Sequence, residues 1–167
     1  MIKQLRNPLT REYRELKEFI LSRDFPWFYF RNTTTVKEDH IPFYSHTLLE
    51  RPEISKIYSK PNSPYLERVA GVVDTLLGMN DIEYNYLVRL SVNSTSSLKG
   101  VKKTLGHEDH TFPHKNILVY LTNSGGKTIV EREEFDPRED DIIIFSGMHH
   151  HLTPEKGRRV VIVGTFV

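Results

Sequence analysis

Two separate stretches of the second half of the chain contain residue types that bind metal ions. In "GHEDHTFPHKN", residues 106–116, His107 and Asp109 are separated by one residue. On an extended segment such a pair points to the same side, because successive side chains alternate. A histidine triplet, His149–His151, follows much later in "FSGMHHHLTP". If the fold brings the two stretches together, they can supply the ligands of one metal ion.

The composition restricts what that metal site can be. The 167 residues include no cysteine, which excludes disulfides, thiolate catalysis and cysteine-based zinc sites. Two histidines and a carboxylate that leave coordination positions open suit Fe(II), Mn(II) or Zn(II), and non-haem iron oxygenases use this arrangement. A cupin-type metal enzyme of another chemistry is one alternative to an oxygenase. A non-catalytic β-sandwich binding module, with histidines present by chance, is the other.

The histidine triplet leaves open which imidazole is the third ligand. Neighbouring residues of a strand face opposite sides, so His150 shares a side with Leu152, and His149 shares the other side with His151. An apolar interior would place the face that carries Leu152 inward. We therefore expect His150 to be the third ligand, with His151 as the alternative and His149 after it.

Charge and hydropathy bound the partners and the location. Lys and Arg total 23 against 22 acidic residues, a net charge of +1, which argues against nucleic acid or an anionic membrane as the main partner. The N-terminus lacks the apolar region of a secretory signal, and no apolar run is long enough to span a membrane. The sequence is thus typical of a soluble cytoplasmic protein. The charge favours a peptidyl or small-molecule substrate, and a nucleobase stays open as an alternative.

The first half of the chain contains two helix patterns. The segment "LTREYRELKEFILSRDFPW" is predicted to be helical, with Thr10 as the N-cap, Glu12 in the first turn and Pro26 as the latest possible end. Ser63 and Pro64 predict the start of a second helix, and Gly78 its end. "WFYF" and "IPFYSHTLLE" are predicted strands, and His40 and His46 are expected at the surface or the rim.

From Glu83 onward the hydrophobic period changes to two. The predicted strands are "EYNYLVRLSVN", "NILVYLTN", "KTIVERE", "DDIIIF" and "RVVIVGTFV", separated by turn signals such as "NSGG" and "PEKG". Many short strands after two helices predict a mainly β fold with flanking helices, a double-stranded β-helix or cupin-like jelly roll. We expect a single domain over residues 1–167, with helical and strand support in 1–82 and the metal-binding core in 83–167.

The sequence resembles the 2-oxoglutarate- and Fe(II)-dependent dioxygenases, and among them the small prolyl-hydroxylase-like and phage-type members. The matching segments occur in the family's order over residues 105–167: "HED", "HKNILVYLTNSGGKTIV", "DDIIIFSG", "HHLTP" and "GRRVVIVGTF". The segment "ELKEFILSRDFPWFYF" matches more loosely. The resemblance implies an oxidoreductase that couples oxidative decarboxylation of 2-oxoglutarate by O2 to substrate hydroxylation.

The resemblance also implies roles for individual residues. His107, Asp109 and a distal histidine hold Fe(II) in that family, and an arginine on the next strand, Arg159 or else Arg158, holds the far carboxylate of 2-oxoglutarate. The distal motif H-x-[V/L]-x-P fits "HHLTP" with His150 first, whereas the spacing from Phe145 fits His151. Tyr120 lies on a strand that flanks the co-substrate, where it either donates a hydrogen bond or packs in the core.

Other residues near these motifs have weaker indications. His110 and His114 lie close to the first pair and are candidates for supporting or solvent-facing roles. Tyr86, Arg89 and Asn93 lie on the predicted strand before the metal-binding segment, and each can contact co-substrate or substrate. The polar segment 94–103, "STSSLKGVKK", is predicted to be a mobile loop beside the site.

Overall fold

The strands of the protein form two antiparallel sheets in the computed structural model, which describes residues 1–33, 38–55 and 58–167. The helices are α1 (Arg11–Leu21), α2 (Pro52–Ser55) and α3 (Leu66–Gly78). The strands are β1 (Lys3–Leu5), β2 (Phe28–Phe30), β3 (Phe43–Glu50), β4 (Lys60–Pro61), β5 (Leu87–Ser96), β6 (Lys115–Tyr120), β7 (Thr128–Val130), β8 (Glu133–Phe135), β9 (Ile142–Phe145), β10 (His149–His151) and β11 (Arg158–Phe166).

The larger sheet has the strand order β1-β9-β6-β11-β5-β3-β2, with β4 paired to β3. The smaller sheet has the order β10-β7-β8. Strands from the first half of the chain extend the larger sheet at both ends, because β1 pairs with β9 and β3 pairs with β5. The order is not sequential, since distant segments such as β5 and β11 become neighbours. The fold class predicted from the sequence, a jelly roll with flanking helices, is confirmed.

The two long helices cover the outer face of the larger sheet. Thr10 caps α1 through its side chain, which accepts a hydrogen bond from the Tyr13 amide at 3.2 Å and so satisfies one of the free N–H groups of the first turn. The helix ends at Leu21, before the predicted limit at Pro26. Helix α3 begins at Leu66, two positions after Pro64, because Ser63 and Pro64 form a turn in which the Ser63 hydroxyl accepts from the Tyr65 amide.

The central strands are apolar on both faces, because each face packs against a separate layer. On β6, Ile117 and Val119 point to the helices, whereas Leu118 and Tyr120 point to the smaller sheet. The core between the sheets consists of Leu118, Tyr120, Val130, Ile143, Phe145 and Val161. This two-sided burial explains why the second half of the chain contains continuous apolar runs such as "DDIIIF" and "RVVIVGTFV".

The segment "KTIVERE" was predicted to be one strand, and this prediction is wrong. The chain reverses at Glu131 and Arg132, which separate β7 from β8. Glu131 has a positive φ of 53°, a conformation that breaks an extended strand. The two halves pair as a hairpin in the smaller sheet, with Thr128 opposite Phe135. In the described part of the chain, no helix combines the length and the apolar character that crossing a membrane requires.

Gly164 provides a test of the packing between the larger sheet and its helical layer. A Cβ at this position of β11 would lie 2.9 Å from Ile117 Cγ2 and 3.4 Å from Leu90 Cδ1. We expect Gly164→Ala to lower the free energy of unfolding by about 1–3 kcal/mol through overpacking. Urea denaturation of the two proteins measures this difference.

Gly71→Ala is the matched control, because the same atom enters open space. Gly71 is exposed on α3, and its added Cβ meets nothing within 4 Å. Helix propensity should then raise the free energy of unfolding by up to about 1 kcal/mol. Equal effects of the two substitutions would contradict the packing described for Gly164.

Candidate metal centre and adjoining pocket

A backbone bridge holds the two metal-binding stretches together. The amide of His107 donates to the carbonyl of His149 at 2.9 Å, and the amide of His149 donates to the carbonyl of His107 at 3.0 Å. The two imidazole centroids are 4.6 Å apart. Asp109 follows on the same segment as His107, and its Oδ2 lies 3.6 Å from His149 Nε2. His107, Asp109 and His149 thus form a triad whose candidate ligand atoms all lie within 4.8 Å of one another.

The structure places His149, rather than the expected His150, in the triad. Strand β10 pairs with β7 so that His149 is opposite the buried Val130 and His150 is opposite the half-buried Ile129. His150 therefore belongs to the outer face of the smaller sheet. The preference for His150 assumed an apolar interior face marked by Leu152. The inner face is polar at this position, since it carries His149, His151 and the buried Thr128.

Each histidine of the triad is held with its Nε2 available. His107 Nδ1 lies 3.2 Å from the Leu105 carbonyl, and His149 Nδ1 lies 3.1 Å from the Gly147 carbonyl. A carbonyl accepts only, so each Nδ1 carries the proton and each Nε2 keeps its lone pair. Burial lowers the pKa of His149 to about 4, so this imidazole is neutral at neutral pH. Neutral imidazole is the form that binds metal.

Asp109 has two oxygens in different surroundings. Oδ1 accepts from Arg51 Nη2 at 3.1 Å and from Arg89 Nη1, and Arg51 Nη1 also donates to the Asp109 carbonyl at 3.0 Å. Burial by itself would raise the pKa of Asp109, but the charges of Arg89 and Arg51 hold it well below its usual value. Oδ2 is buried and has no hydrogen-bond partner among the described residues. An ionised carboxylate with one unpartnered oxygen, beside two Nε2 atoms, fits a divalent metal ion.

A cavity of about 80 Å³ adjoins the triad and extends to Arg159. Its wall includes all three triad residues together with His150 and His151, and the remainder is Thr33, Phe43, Arg89, Asn93, Thr95, Leu118, Thr128, Arg159 and Val163. Among the described residues, Asp109 is the only acid in this wall. Of the three residues predicted on the preceding strand, Arg89 and Asn93 reach the cavity, whereas Tyr86 is exposed and lies outside the wall.

Arg159 is buried at the far side of the cavity. Its Nε donates to the Gly126 carbonyl at 3.1 Å, its Nη2 donates to Thr128 Oγ1 at 3.0 Å, and its guanidinium lies 5.2 Å from the Tyr120 ring centroid. Burial lowers the pKa of Arg159, yet a guanidinium stays charged in proteins. No carboxylate pairs with it in the part of the chain that the structure describes. A buried cation of this kind favours an anionic ligand.

Tyr120, Arg158 and His151 differ in their relation to this pocket. Tyr120 lies outside the cavity wall, and its hydroxyl bonds to Thr128 Oγ1 at 2.7 Å. Tyr120 therefore contacts Thr128 and Arg159 without reaching the cavity itself. Arg158 is exposed, and its Nη2 reaches the Leu21 carbonyl at 3.5 Å, away from the cavity. His151 lines the cavity, and its buried Nε2 has no partner among the described residues.

The other histidines belong to the surrounding structure. His110 is buried and lies between Glu53 Oε1 at 2.8 Å and Thr165 Oγ1 at 2.7 Å. His114 Nδ1 lies 2.8 Å from the Phe112 carbonyl. His46, expected near the surface, is buried and contacts the Pro26 carbonyl at 2.7 Å and Ser63 Oγ at 2.8 Å. Its aromatic neighbours in sequence were a sign of this burial.

Segment 94–103, predicted as a loop, is partly strand. Its first three residues complete β5. At its other end Lys102 exchanges hydrogen bonds with Thr153, and Lys103 forms a bridge with Leu152. The segment thus joins the larger sheet to the residues that follow β10, beside the cavity.

Sequence reasoning missed the two groups that fix the metal-binding segment from the first half of the chain. Arg51, directly before α2, binds Asp109, and Glu53 in α2 binds His110. The only signal was the position of these charged residues after a predicted strand, which is too common to identify them. Thr33 and Phe43 also reach the cavity from this half.

No family model and no curated protein sequence matches this chain. Several solved structures, however, are similar to it in fold. An oxidoreductase of the 2OG-Fe(II) oxygenase family from Burkholderia pseudomallei has a TM-score of 0.63 and 14% identity over 99% of this chain and 84% of its own. A prolyl hydroxylase from Trichoplax adhaerens, in complex with a hypoxia inducible factor peptide, has a TM-score of 0.63 and 12% identity over 99% and 82%.

A third neighbour is the non-heme alpha ketoglutarate dependent epimerase SnoN of nogalamycin biosynthesis. Its TM-score is 0.58, with 14% identity over 99% of this chain and 77% of its own. The chain has the fold of these oxygenases. Because the likeness extends over nearly the whole chain, it includes the helices and the N-terminal strands as well as the two sheets.

Gly126 tests the position of Arg159. The residue has a φ of 85°, and a Cβ there would lie 2.8 Å from Arg159 Cδ and 2.9 Å from the Leu152 carbonyl oxygen. We expect Gly126→Ala to combine backbone strain with a steric clash and to lower the free energy of unfolding by about 2–4 kcal/mol. Thermal or urea denaturation measures the loss.

Gly125→Ala separates the two causes. Gly125 also has a positive φ, 74°, but the nearest atom to its added Cβ is 4.0 Å away. Only the strain remains, so the expected loss is about 1 kcal/mol. If Gly125→Ala destabilises as much as Gly126→Ala, the clash with Arg159 is not a determinant of stability.

Proposed function

We propose that this protein is a non-haem Fe(II)- and 2-oxoglutarate-dependent dioxygenase that hydroxylates a small-molecule or peptidyl substrate. One observation carries the proposal: a single cavity has the His107–Asp109–His149 triad in one part of its wall and the buried Arg159, without a carboxylate partner, in another. A dianionic ligand that bridges a metal ion and a guanidinium matches both features.

In this proposal His107, Asp109 and His149 hold Fe(II). The two Nε2 atoms and the unpartnered Asp109 Oδ2 are the ligand atoms. Arg51 and Arg89 occupy the other oxygen of Asp109, which favours binding through one oxygen and leaves room for further ligands. The neutral imidazole of His149 needs no deprotonation before it binds the metal.

Arg159 holds the far carboxylate of 2-oxoglutarate. The hydrogen bonds from its Nε to the Gly126 carbonyl and from its Nη2 to Thr128 Oγ1 fix the plane of the guanidinium. The Tyr120 ring packs against this guanidinium. Fe(II) and 2-oxoglutarate, when bound, supply the chemistry in which O2 converts 2-oxoglutarate to succinate and CO2 and one oxygen atom enters a substrate C–H bond. The apolar Leu118 and Val163 in the wall restrict water near the co-substrate.

Two alternative functions explain less of the site. A cupin-type metal enzyme of other chemistry accounts for the triad, but it gives no role to the buried charge of Arg159. A non-catalytic β-sandwich does not explain why Asp109 Oδ2 has no hydrogen-bond partner among the described residues. It also does not explain why His107 and His149 each bond to a backbone carbonyl through Nδ1, which leaves both Nε2 atoms available. The oxygenase proposal gives each of these groups a function.

The metal site is tested by comparing neighbouring histidines. We expect His149→Ala and His107→Ala each to weaken Mn(II) or Fe(II) binding by more than about 100-fold, since each removes a ligand. His150→Ala is the matched control: His150 borders the cavity but is not part of the triad, and it alternates with His149 along β10. Its substitution should change the affinity by less than about threefold. Calorimetric titration of Mn(II) gives the affinities.

A larger loss of metal binding in His150→Ala than in His149→Ala would contradict the ligand set. Equal binding by the unsubstituted protein and His107→Ala would support the non-catalytic alternative.

The co-substrate site is tested at the two consecutive arginines. We expect Arg159→Met to weaken 2-oxoglutarate binding to the Mn(II)-loaded protein by about 30-fold or more, because a buried ion pair loses its cation. Arg158→Met, with the same change at an exposed position, should bind 2-oxoglutarate normally. The Fe(II) proteins are then compared by succinate release.

Unchanged 2-oxoglutarate binding in Arg159→Met, together with normal metal binding, would support the cupin-type alternative. A loss in Arg158→Met alone would move the anchor to that residue.

A further inference from the structure

Arg89 is a second guanidinium in the cavity wall. It lies on β5 opposite Thr165 of β11, and its side chain is 18% exposed. Its Nη1 donates to Asp109 Oδ1, and Asp109 is its only hydrogen-bonding or ion-pairing partner in the described part of the chain. The other donors of the Arg89 fork therefore remain available to a ligand in the cavity.

A charge balance of the loaded site leaves Arg89 in excess. The two charges of Fe(II) are offset by Asp109 and by the carboxylate of 2-oxoglutarate next to the metal. The far carboxylate of 2-oxoglutarate offsets Arg159. Arg51 also contacts Asp109, but its charge is offset by Glu53. The charges of Arg51 and Glu53 act on each other's pKa in the directions expected of an attractive pair. One positive charge, that of Arg89, remains.

No other group facing the cavity removes this excess. Among the described residues, Asp109 is the only acid in its wall, and the other β5 residues in the wall are the neutral Asn93 and Thr95. Lys103, whose charge lowers the pKa of His150, adds to the positive potential. A partly buried guanidinium is unfavourable when its only counter-charge among the described residues, Asp109, also offsets the metal ion. The planar fork of a guanidinium matches a carboxylate.

We propose that the primary substrate carries a carboxylate group that pairs with Arg89 beside the metal. The inference rests on the proposed function, because the charge balance includes Fe(II) and 2-oxoglutarate. A carboxylate fits better than a phosphate monoester, since one surplus charge matches a monoanion whereas a phosphate carries close to two charges at neutral pH. The carboxylate belongs either to a free acid or to an acidic group of a peptide.

Two fluorinated probes of nearly equal size test the inference by ¹⁹F NMR. The protein is loaded with Mn(II) and saturating 2-oxoglutarate, and trifluoroacetate or the neutral trifluoroacetamide is added. Mn(II) broadens the ¹⁹F line of any probe that binds next to it. We expect broadening by trifluoroacetate that is about tenfold or more greater than that of trifluoroacetamide, as a charge-assisted pair implies.

Three variants assign the effect to Arg89. Arg89→Gln, which keeps a donor for Asp109 but removes the charge, should lose the extra broadening of trifluoroacetate. Arg89→Lys should keep part of it. Arg51→Met is the matched control: it removes a cation from the same Asp109 oxygen but from outside the cavity wall, so the broadening should persist. Mn(II) and 2-oxoglutarate binding are measured for every protein.

The outcomes separate this inference from the function on which it rests. Absence of Mn(II) or 2-oxoglutarate binding in the unsubstituted protein would overturn the proposed function. Equal broadening by the two probes in a loaded protein, or full broadening in Arg89→Gln, would overturn the carboxylate assignment alone. Stronger broadening by monofluorophosphate than by trifluoroacetate would replace the carboxylate with a phosphate.

A coupled assay then distinguishes the source of the carboxylate. Fe(II) protein with 2-oxoglutarate is supplied with free amino acids and their carboxamides, and with acidic peptides and their amide counterparts. Stimulated succinate release by free acids but not by carboxamides identifies a small-molecule acid. Stimulation only by acidic peptides identifies a peptidyl substrate, and stimulation by the amides alone contradicts the inference.

Discussion

The unequal surroundings of the two Asp109 oxygens are the feature on which the site depends. Two arginines from different parts of the chain bind Oδ1, whereas Oδ2 is buried and has no hydrogen-bond partner among the described residues. Leaving a buried acceptor unpaired costs about 1–3 kcal/mol, so the fold tolerates a local loss that a bound cation can recover. The two arginines keep the carboxylate ionised, and by binding Oδ1 they fix its orientation so that Oδ2 stays available to a cation.

The position of Asp109 in turn requires both halves of the chain. Strand β5 contributes Arg89, and the short connection before α2 contributes Arg51. The backbone bridge from His107 to β10 adds the third segment. The first half of the chain is therefore more than a support for the jelly-roll core, because it also supplies Phe43 and Thr33 to the cavity wall.

Local patterns predicted those elements that depend on local forces. The cap at Thr10, the period of two after Glu83 and the adjacent donors His107 and Asp109 each depend on neighbours in sequence. The structure accordingly contains α1 and β5 and brings His107 and Asp109 into one triad with His149. The break at Glu131 was not predicted, because its positive φ follows from a turn that lacks glycine and proline. Segment 94–103 was assigned to a loop for its polar residues, but its first three residues extend β5.

The choice of the third histidine shows what alternation alone cannot decide. Alternation correctly separated His150 from His149 and His151, but it does not say which face is inward. Leu152 suggested the wrong face, because the inner face of β10 carries the polar side chains of His149 and His151. The register of β10 against β7, which depends on contacts between distant segments, decides the question.

The paired amides and carbonyls of His107 and His149 also determine when the site is assembled. The spacing of the two imidazoles follows from a hydrogen-bonded ladder, so their alignment is completed during folding and needs no cation. The loss of conformational entropy on bringing these segments together therefore occurs during folding, before an ion binds. Removal of the ion by a chelator should leave the backbone intact, and the emptied protein can be refilled with a spectroscopically useful substitute such as Co(II) without refolding.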